Sequence, residues 1–599
     1  MIQKFKEFFQ KKTVISFLVV FCILIQSVYL SCIFAFQKEG YHSDEVYSYG
    51  LANSYHNPFL SMNKNLGYAD DIEYMYVNEW ISGEILQDYI TVDEGNTFNY
   101  ENVWYNQSLD RHPPLYYAVL HTVCSFFPEQ FSPYFGFVIN LICFVVLQIF
   151  LFLLSKKLFK SNTLALLTIL CYGFSVGAVN TFMYIRMYAM ITMWVVILAY
   201  LHARLLNCTK QIKIKDFIPI TFIVMMGALT QHEFTIIAFV FAACFCLYYL
   251  FKKQIRNFLK YGCSMLIGVL MAWAVFNPLI AQIFIESGSN IYDLSLIFPY
   301  QLYTAWNYVI NSLFGIPFIS ISTWVYLFNL ILPFLFILLF FALPICYLFR
   351  YTKGVMRLKR ELKKFVQNFS LQKVWSKLKC INVLYLAMFL SSIVIICVLA
   401  RTVYFAFTGY CDRYVFVVYP FVLLLCIAVF SFIFRKVKPI KKYEKIIVSV
   451  CFIVLLIFNV STVHSDYLFE GANTIGNLED LTVDSDCIII DLYEWRMVCF
   501  APYLKEAHQV FFTTTTTTYE SICNELQTKT ADTRPTYLFV LNDYAQYDNL
   551  DIQYRGIFGT DIDYSEEEFL KNYFGTYTQS ERLGMVTIFS HNYLVYCMS

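Results

Sequence analysis

From its start to about residue 463 the chain alternates long uncharged apolar runs with short polar stretches, and beyond that point the rhythm changes. A helix needs about 20 apolar residues to cross a hydrocarbon core of about 30 Å. Runs of that kind predict eleven spans, at 14–36, 134–155, 162–180, 187–206, 216–231, 233–251, 260–283, 322–349, 380–400, 414–434 and 445–463. Two further apolar, aromatic segments, 113–128 and 296–318, are read as juxtamembrane or re-entrant helices packed on protein. Counting either as a span would invert every later loop. The first run follows Lys4, Lys6, Lys11 and Lys12 but is longer than the h-region of a signal peptide and lacks an A-x-A site, so a retained anchor is expected.

After residue 463, strand-like runs at 487–491, 509–513, 536–541, 585–589 and 593–597 alternate with helical patterns near 494–506, 518–529 and 565–574. That alternation predicts a small α/β domain. The Thr513–Thr518 run reads as a strand end or loop, and no internal repeat is evident. The expected fold is therefore a polytopic α-helical membrane protein of about eleven transmembrane helices, residues 1–463, carrying a loop at 37–133 and a soluble α/β domain at 464–599.

Composition supports this division, since 58% of the 599 residues are hydrophobic and the mean hydropathy is +0.54, above ordinary soluble usage of roughly 45–50%. The net charge of +1 conceals two opposed distributions. Segments 1–12, 156–161, 204–215, 252–260, 350–379 and 435–445 hold 31 of the 44 basic residues, and eleven helices threaded from an inside N-terminus place all six on one side. Cytoplasmic loops carry such an excess. The opposite side is acidic, with 13 Asp/Glu against 3 Lys/Arg in 37–112 and 21 against 7 in 466–599. The loop and the C-terminal domain are thus expected to be extracytoplasmic. Most of the 19 cysteines lie singly in apolar runs, as small hydrophobes do. No C-x-x-C pair occurs, and the pairing state of Cys487, Cys499, Cys523 and Cys597 stays open.

Ionisable groups near a bilayer are costly and tend to be kept for function. Five clusters fall at the outer face under this topology: His42, Asp44 and Glu45; Asp110, Arg111 and His112; Arg186; His232 and Glu233; and Arg401, Asp412 and Arg413. Asp44 can act as a general base on a hydroxyl, although a solvated charge or a helix cap is the plainer reading of Asp44-Glu45. Arg186, Arg401 and Arg413 suit a phosphate or diphosphate through forked hydrogen bonds, or anchor lipid headgroups. His112 can bind a phosphate or a metal, or serve structurally. The His232-Glu233 pair, with Asp110 or His112, can complete a divalent-cation site.

In order, a DE pair after the first helix, D-R-H-P-P-L-Y-Y at 110–117, R-x-Y at 186–188, T-x-H-x-F at 230–234 in the form TQHEF, and R-Y followed by a proline at 413–420 resemble the C-type (GT-C) membrane glycosyltransferases. More narrowly, the pattern is similar to the bacterial relatives of protein O-mannosyltransferases and of the lipid A aminoarabinose transferase. The resemblance covers residues 14–463. It implies transfer of a sugar from a polyprenyl-phosphate donor to an envelope glycan, lipid or protein acceptor at the outer face of the cytoplasmic membrane. Asp44, beside Glu45, maps to the base, and Arg186, Tyr188, His112, Arg413 and Arg401 to donor-phosphate binding; Asp110 and His232 are the candidate metal positions. Departures are Glu233, where relatives often have an aromatic residue, and a C-terminal domain with no matching motif. No nucleic-acid partner is expected. A polytopic transporter, and a membrane-anchored scaffold or receptor using the C-terminal domain, are the competing classes. The first usually shows paired halves and midplane charges, and the second leaves the polar clusters without a role.

Overall fold

The computed structural model describes residues 12–63, 73–206, 212–282, 298–316, 382–402, 411–436, 441–462, 464–469, 471, 473–491, 493–514, 534–541, 580–589 and 591–598. The expected span at 322–349, the basic segment 350–379, and the helical patterns at 518–529 and 565–574 lie outside these residues.

The helices, in chain order, are α1 (Lys12–Gln37), α2 (Ser43–Asn53), α3 (Gly83–Ile90), α4 (Tyr100–Leu109), α5 (Leu115–Cys124), α6 (Pro133–Phe159), α7 (Asn162–Gly173), α8 (Val176–Met183), α9 (Tyr188–Leu206), α10 (Ile218–Ala228), α11 (His232–Phe251), α12 (Ile255–Val275), α13 (Phe298–Phe314), α14 (Val383–Thr402), α15 (Tyr419–Lys436) and α16 (Glu444–Thr462). Among the described residues, seven helical stretches are long and apolar enough to cross a membrane: those of α1, α6, α9, α11, α12, α15 and α16. The chain is therefore a polytopic helical protein. Large apolar side chains such as Phe17, Val28, Ile142, Phe239, Leu266, Phe432 and Ile457 point outward from these helices. A surface of that kind suits hydrocarbon rather than water.

The expected span at 162–180 is broken instead. Helices α7 and α8 meet at 58°, because Ser175 accepts the Ala178 N–H at 3.2 Å and starts a new helix. Helix α10 is shorter than its predicted 216–231: the chain turns at Leu229–Thr230, and Gln231 caps α11. Segments 113–128 and 296–318 contain the helices α5 and α13, of 10 and 17 residues. Inside the bundle, Gln148 Nε2 donates to Gln26 Oε1 at 2.9 Å and Gln26 Nε2 donates to the Ile169 carbonyl at 2.9 Å. Buried amides thereby tie α1, α6 and α7 together.

The strands are β1 (Met62–Asn63), β2 (Glu73–Tyr74), β3 (Trp80–Ser82), β4 (Asp486–Asp491), β5 (Gln509–Thr514), β6 (Thr536–Leu541), β7 (Ser580–Ile588) and β8 (His591–Met598). Six form one mixed sheet in the order β3-β5-β4-β6-β8-β7. β4 is parallel to β5 and β6, whereas β8 is antiparallel to β6 and β7. All five strand-like runs predicted after residue 463 lie in this sheet. The domain boundary drawn at 463/464 is nevertheless crossed, since β3 comes from the first loop and pairs antiparallel with β5, Trp80 opposite Phe511. The two parts interlock at other points. Glu39 N–H donates to the Leu468 carbonyl at 2.9 Å, and Gly471 N–H donates to Glu39 Oε2 at 3.1 Å. A Cβ on Gly83 would lie 2.2 Å from the Ala507 carbonyl oxygen, so the start of α3 seats directly on the C-terminal backbone. Cys487, Cys499 and Cys597 are free thiols.

Candidate active site

The residues following α1 form a short link into α2, capped from both directions. Asp44 N–H donates to His42 Nδ1 at 3.0 Å, and His42 N–H donates to Glu45 Oε2 at 2.8 Å. This is a capping box with histidine in the capping position. Glu45 is fully buried; Oε1 accepts from Lys38 Nζ at 2.7 Å and from the Ile185 N–H at 2.7 Å. Lys38 also donates to the Met183 carbonyl at 3.0 Å. Glu45, expected beside Asp44 in the chemistry, thus fastens the end of α1 and the start of α2 to the chain after α8.

The cap turns Asp44 the other way. Its side chain keeps 24% exposure and stands between two guanidiniums, with Arg413 Nη2 3.4 Å from Oδ2 and Arg186 Nη1 3.8 Å from Oδ1. Both separations exceed a good N–H···O contact. Tyr184 donates its hydroxyl to Asp44 Oδ2 at 2.9 Å, and Arg186 Nη1 donates to the Asp44 carbonyl at 2.8 Å. Burial opposes ionisation of Asp44, but Arg186 and Arg413, assisted by Tyr184, hold its carboxyl well below the usual carboxylate range. Burial lowers the His42 imidazole to about 3 against the pull of Asp44, with Arg413 and Arg186 adding to the lowering.

His112 closes the opposite side. Its Nδ1–H donates to Asp110 at 2.7 Å, which leaves Nε2 to accept from Arg186 Nη2 at 3.4 Å. Burial works against the Asp110 charge, yet His112 and Arg186 hold that carboxyl below its ordinary value. The segment is fixed in place because Gln282 Nε2 donates to the Asp110 carbonyl at 2.8 Å and Leu115 N–H donates to the Leu229 carbonyl at 2.9 Å. Arg186 Nε has no hydrogen-bond partner among the described residues although it is buried. A buried donor of that kind is costly unless something occupies it.

Arg413 lies on the 3₁₀ turn Cys411–Val418 that leads into α15, with its guanidinium 4.9 Å from the Tyr414 ring centroid. Its neighbour Asp412 faces away, accepting from Tyr467 at 2.6 Å and from Asn180 at 3.1 Å. Tyr188 stacks on Tyr184 at 5.8 Å and lies edge-on to Tyr414 at 6.2 Å, which makes it a wall of the site. Arg401 belongs to α14, but its side chain lies outside the described residues.

Of the candidate metal positions, His232 donates Nε2–H to the Arg111 carbonyl at 3.1 Å and Asp110 is paired with His112. Among the described residues no group of three His, Cys, Asp or Glu side chains gathers at ligand distance. Through its bond to the Arg111 carbonyl, His232 braces the Asp110–Pro114 segment. Asp44, His112, Arg186, Tyr188 and Arg413 do converge, from positions up to 369 residues apart in number. No known protein family matches this chain, and no curated protein does.

Two participants were not anticipated. Tyr184 bonds the carboxylate directly and lies within YIRMY, two residues before Arg186, where an R-centred reading passes over it. Phe589, from the far end of the chain, packs edge-on against His42 with centroids 4.7 Å apart. Nothing local to residue 589 signals that contact.

Proposed function

We propose that the protein is a glycosyltransferase that moves a sugar from a polyprenyl-phosphate donor to an acceptor of the cell envelope, at the extracytoplasmic face of the bacterial cytoplasmic membrane. The observation that carries this reading is the half-open Asp44 carboxylate between Arg186 and Arg413, with Asp110-bound His112 beside them. The positive-inside distribution of Lys and Arg gives the sidedness, with the N-terminus cytoplasmic and the sheet domain outside.

In this mechanism the lipid tail lies among the helices and the donor phosphate takes the guanidiniums. The two contacts to Asp44 are long and easily yielded. Losing them to a phosphate raises the basicity of Asp44 only when the donor is bound. Asp44 then accepts the proton of the acceptor hydroxyl as its oxygen bonds to the anomeric carbon. The bond from that carbon to the phosphate oxygen breaks on the opposite face, and the pair of electrons leaves with the polyprenyl phosphate. A single displacement inverts the anomeric configuration. Preorganised cations at the developing phosphate charge are commonly the largest catalytic contribution, so both arginines matter as much as the base. The test is transfer from polyprenyl-phosphate sugars by purified wild type, Asp44→Asn and Arg413→Ala. Wild-type turnover in both folded variants overturns the assignment.

A further inference from the structure

Two helices that meet the candidate site at one end border a basic cavity at the other. α9 starts at Tyr188 and α11 at His232, and both lead away from the site. From Tyr188 to Leu206 a helix rises about 27 Å, close to the thickness of a hydrocarbon core. The cavity, of about 290 Å³, lies there between the last turns of α6, α9 and α11 and the first turn of α14. A single water needs only about 10–15 Å³, so the space admits a much larger group.

Its lining is cationic. Lys157 and Lys160 both line it, and among the described residues neither ammonium has a hydrogen bond or an ion pair. A third charge, Lys252 Nζ, lies 5.9 Å from the ring centroid of Tyr248, another lining residue. The four segments that meet here, 151–162, 198–206, 244–256 and 382–390, contain no Asp or Glu. Lysines near a helix C-terminus can answer its carbonyl dipole, and three helices end at this cavity. That role uses only part of the charge. The ends of α6, α9 and α11 bring about half a negative charge each and the start of α14 about half a positive one, roughly −1 together. Lys157, Lys160 and Lys252 are three full positive charges, so the cavity suits an anion.

Apolar groups indicate which kind of anion. Leu206 and Leu384 line the same space. Leu247, Leu250 and Leu386, close to it along α11 and α14, are exposed, and these two helices pack together. A soluble anion makes no use of such a belt, whereas a lipid sets its phosphate at the polar end of it and its chains along it. We infer that the cavity binds the phosphate of an anionic phospholipid, held by Lys157 and Lys160, with acyl chains against the outer faces of α11 and α14. Basic pockets between transmembrane helices suit such headgroups on the cytoplasmic side, where the Lys and Arg distribution puts this end. The inference requires no transfer activity. A lipid bridging four helix ends also favours the folded bundle over the unfolded chain.

The experiment measures lipid binding to the full-length protein in neutral detergent by native mass spectrometry. Short-chain phosphatidylglycerol and phosphatidylcholine are titrated separately, with ammonium phosphate as the soluble competitor. Wild type is expected to hold one phosphatidylglycerol saturably and in preference to phosphatidylcholine, and equimolar phosphate should not displace it. Lys157→Gln/Lys160→Gln should weaken that binding about 25-fold, at about fivefold for each basic residue on an anionic lipid. Lys253→Gln/Arg256→Gln removes two charges from the same end outside the cavity lining and should change it little. Equal losses in the two double variants, unchanged affinity in the first, or no preference for phosphatidylglycerol in wild type overturns the inference. Displacement by phosphate as effective as by lipid assigns the cavity to a soluble anion and overturns it too. If the first double variant does not elute as a single species, Lys160→Gln decides, because that side chain is exposed: about a fivefold loss is expected, and wild-type affinity overturns the inference.

Discussion

Two carboxylates in this molecule each meet arginine and tyrosine, and they do so under opposite conditions. Asp491 of the sheet domain is fully buried, holding Arg496 at 3.0 Å and Tyr593 at 2.5 Å. Asp44 has the same kinds of partner, yet it is 24% exposed, its tyrosine is at 2.9 Å, and its two arginines stop at 3.4 and 3.8 Å. One carboxylate meets its arginine at hydrogen-bond distance and is closed, while the other stands off from two and is open. A closed ion pair specifies how a domain packs. An open cluster whose arginines hold their carboxylate only loosely is the one suited to exchange that carboxylate for another anion. Composition alone would not separate them; distance and exposure do.

The contrast can be broken by substitution. Asp44→Asn carries the largest effect, a loss of transfer of about 10²–10⁴-fold, with the unfolding midpoint shifted far less than by the next variant; a comparable collapse in stability would place Asp44 with Asp491 instead. Asp491→Ala leaves the Arg496 charge buried alone and should cost about 3–5 kcal/mol, read from denaturant unfolding, with residual activity following the folded fraction. Glu45→Gln tests the neighbour: it keeps the shape but weakens the Lys38 pair, so a loss of about 1–3 kcal/mol in stability is expected, and an Asp44-like loss of turnover without destabilisation would contradict the bracing role assigned to Glu45.

Acid should act through the same cluster in a graded way. His42 is lowered to about 3 in the folded protein, against an ordinary value of about 6.5, so between those values the unfolded chain binds the extra proton. Its contribution is full at neutral pH and stability falls as the pH drops from about 6.5 toward 3. Asp44, also lowered, adds to that fall at the acidic end. An unfolding midpoint that stays flat over that window would show that His42 is not held neutral. The smallest effect belongs to Tyr184→Phe, which removes one donor to Asp44 and should change turnover by about fivefold, close to 1 kcal/mol.

Much of this arrangement is legible in the sequence, and the omissions have physical causes. Hydropathy located the helices around 14–36, 134–155, 187–206 and 445–463 because a long apolar run carries its own evidence. It could not show that Ser175 breaks α7 from α8, since a serine in an apolar run reads the same whether it caps or faces a neighbour. The alternating runs after residue 463 were visible as strands, but β3 was not: three residues at 80–82 become a strand only through pairing with residue 511. At the site, charge made Asp44, Arg186 and Arg413 conspicuous. Whether Asp44 or Glu45 stays open depends on the direction set by the His42 cap, which only coordinates reveal.

The pairing of Trp80 with Phe511 also constrains how the protein is made. The first partner leaves the ribosome 431 residues before the second, a delay on the order of 20–90 seconds at ordinary synthesis rates. Through that interval the loop lacks the strand that seats it, and His42 lacks Phe589. The surroundings of Asp44 are therefore completed late, and a chain stopped between residues 80 and 511 should carry a first loop without its partner strand.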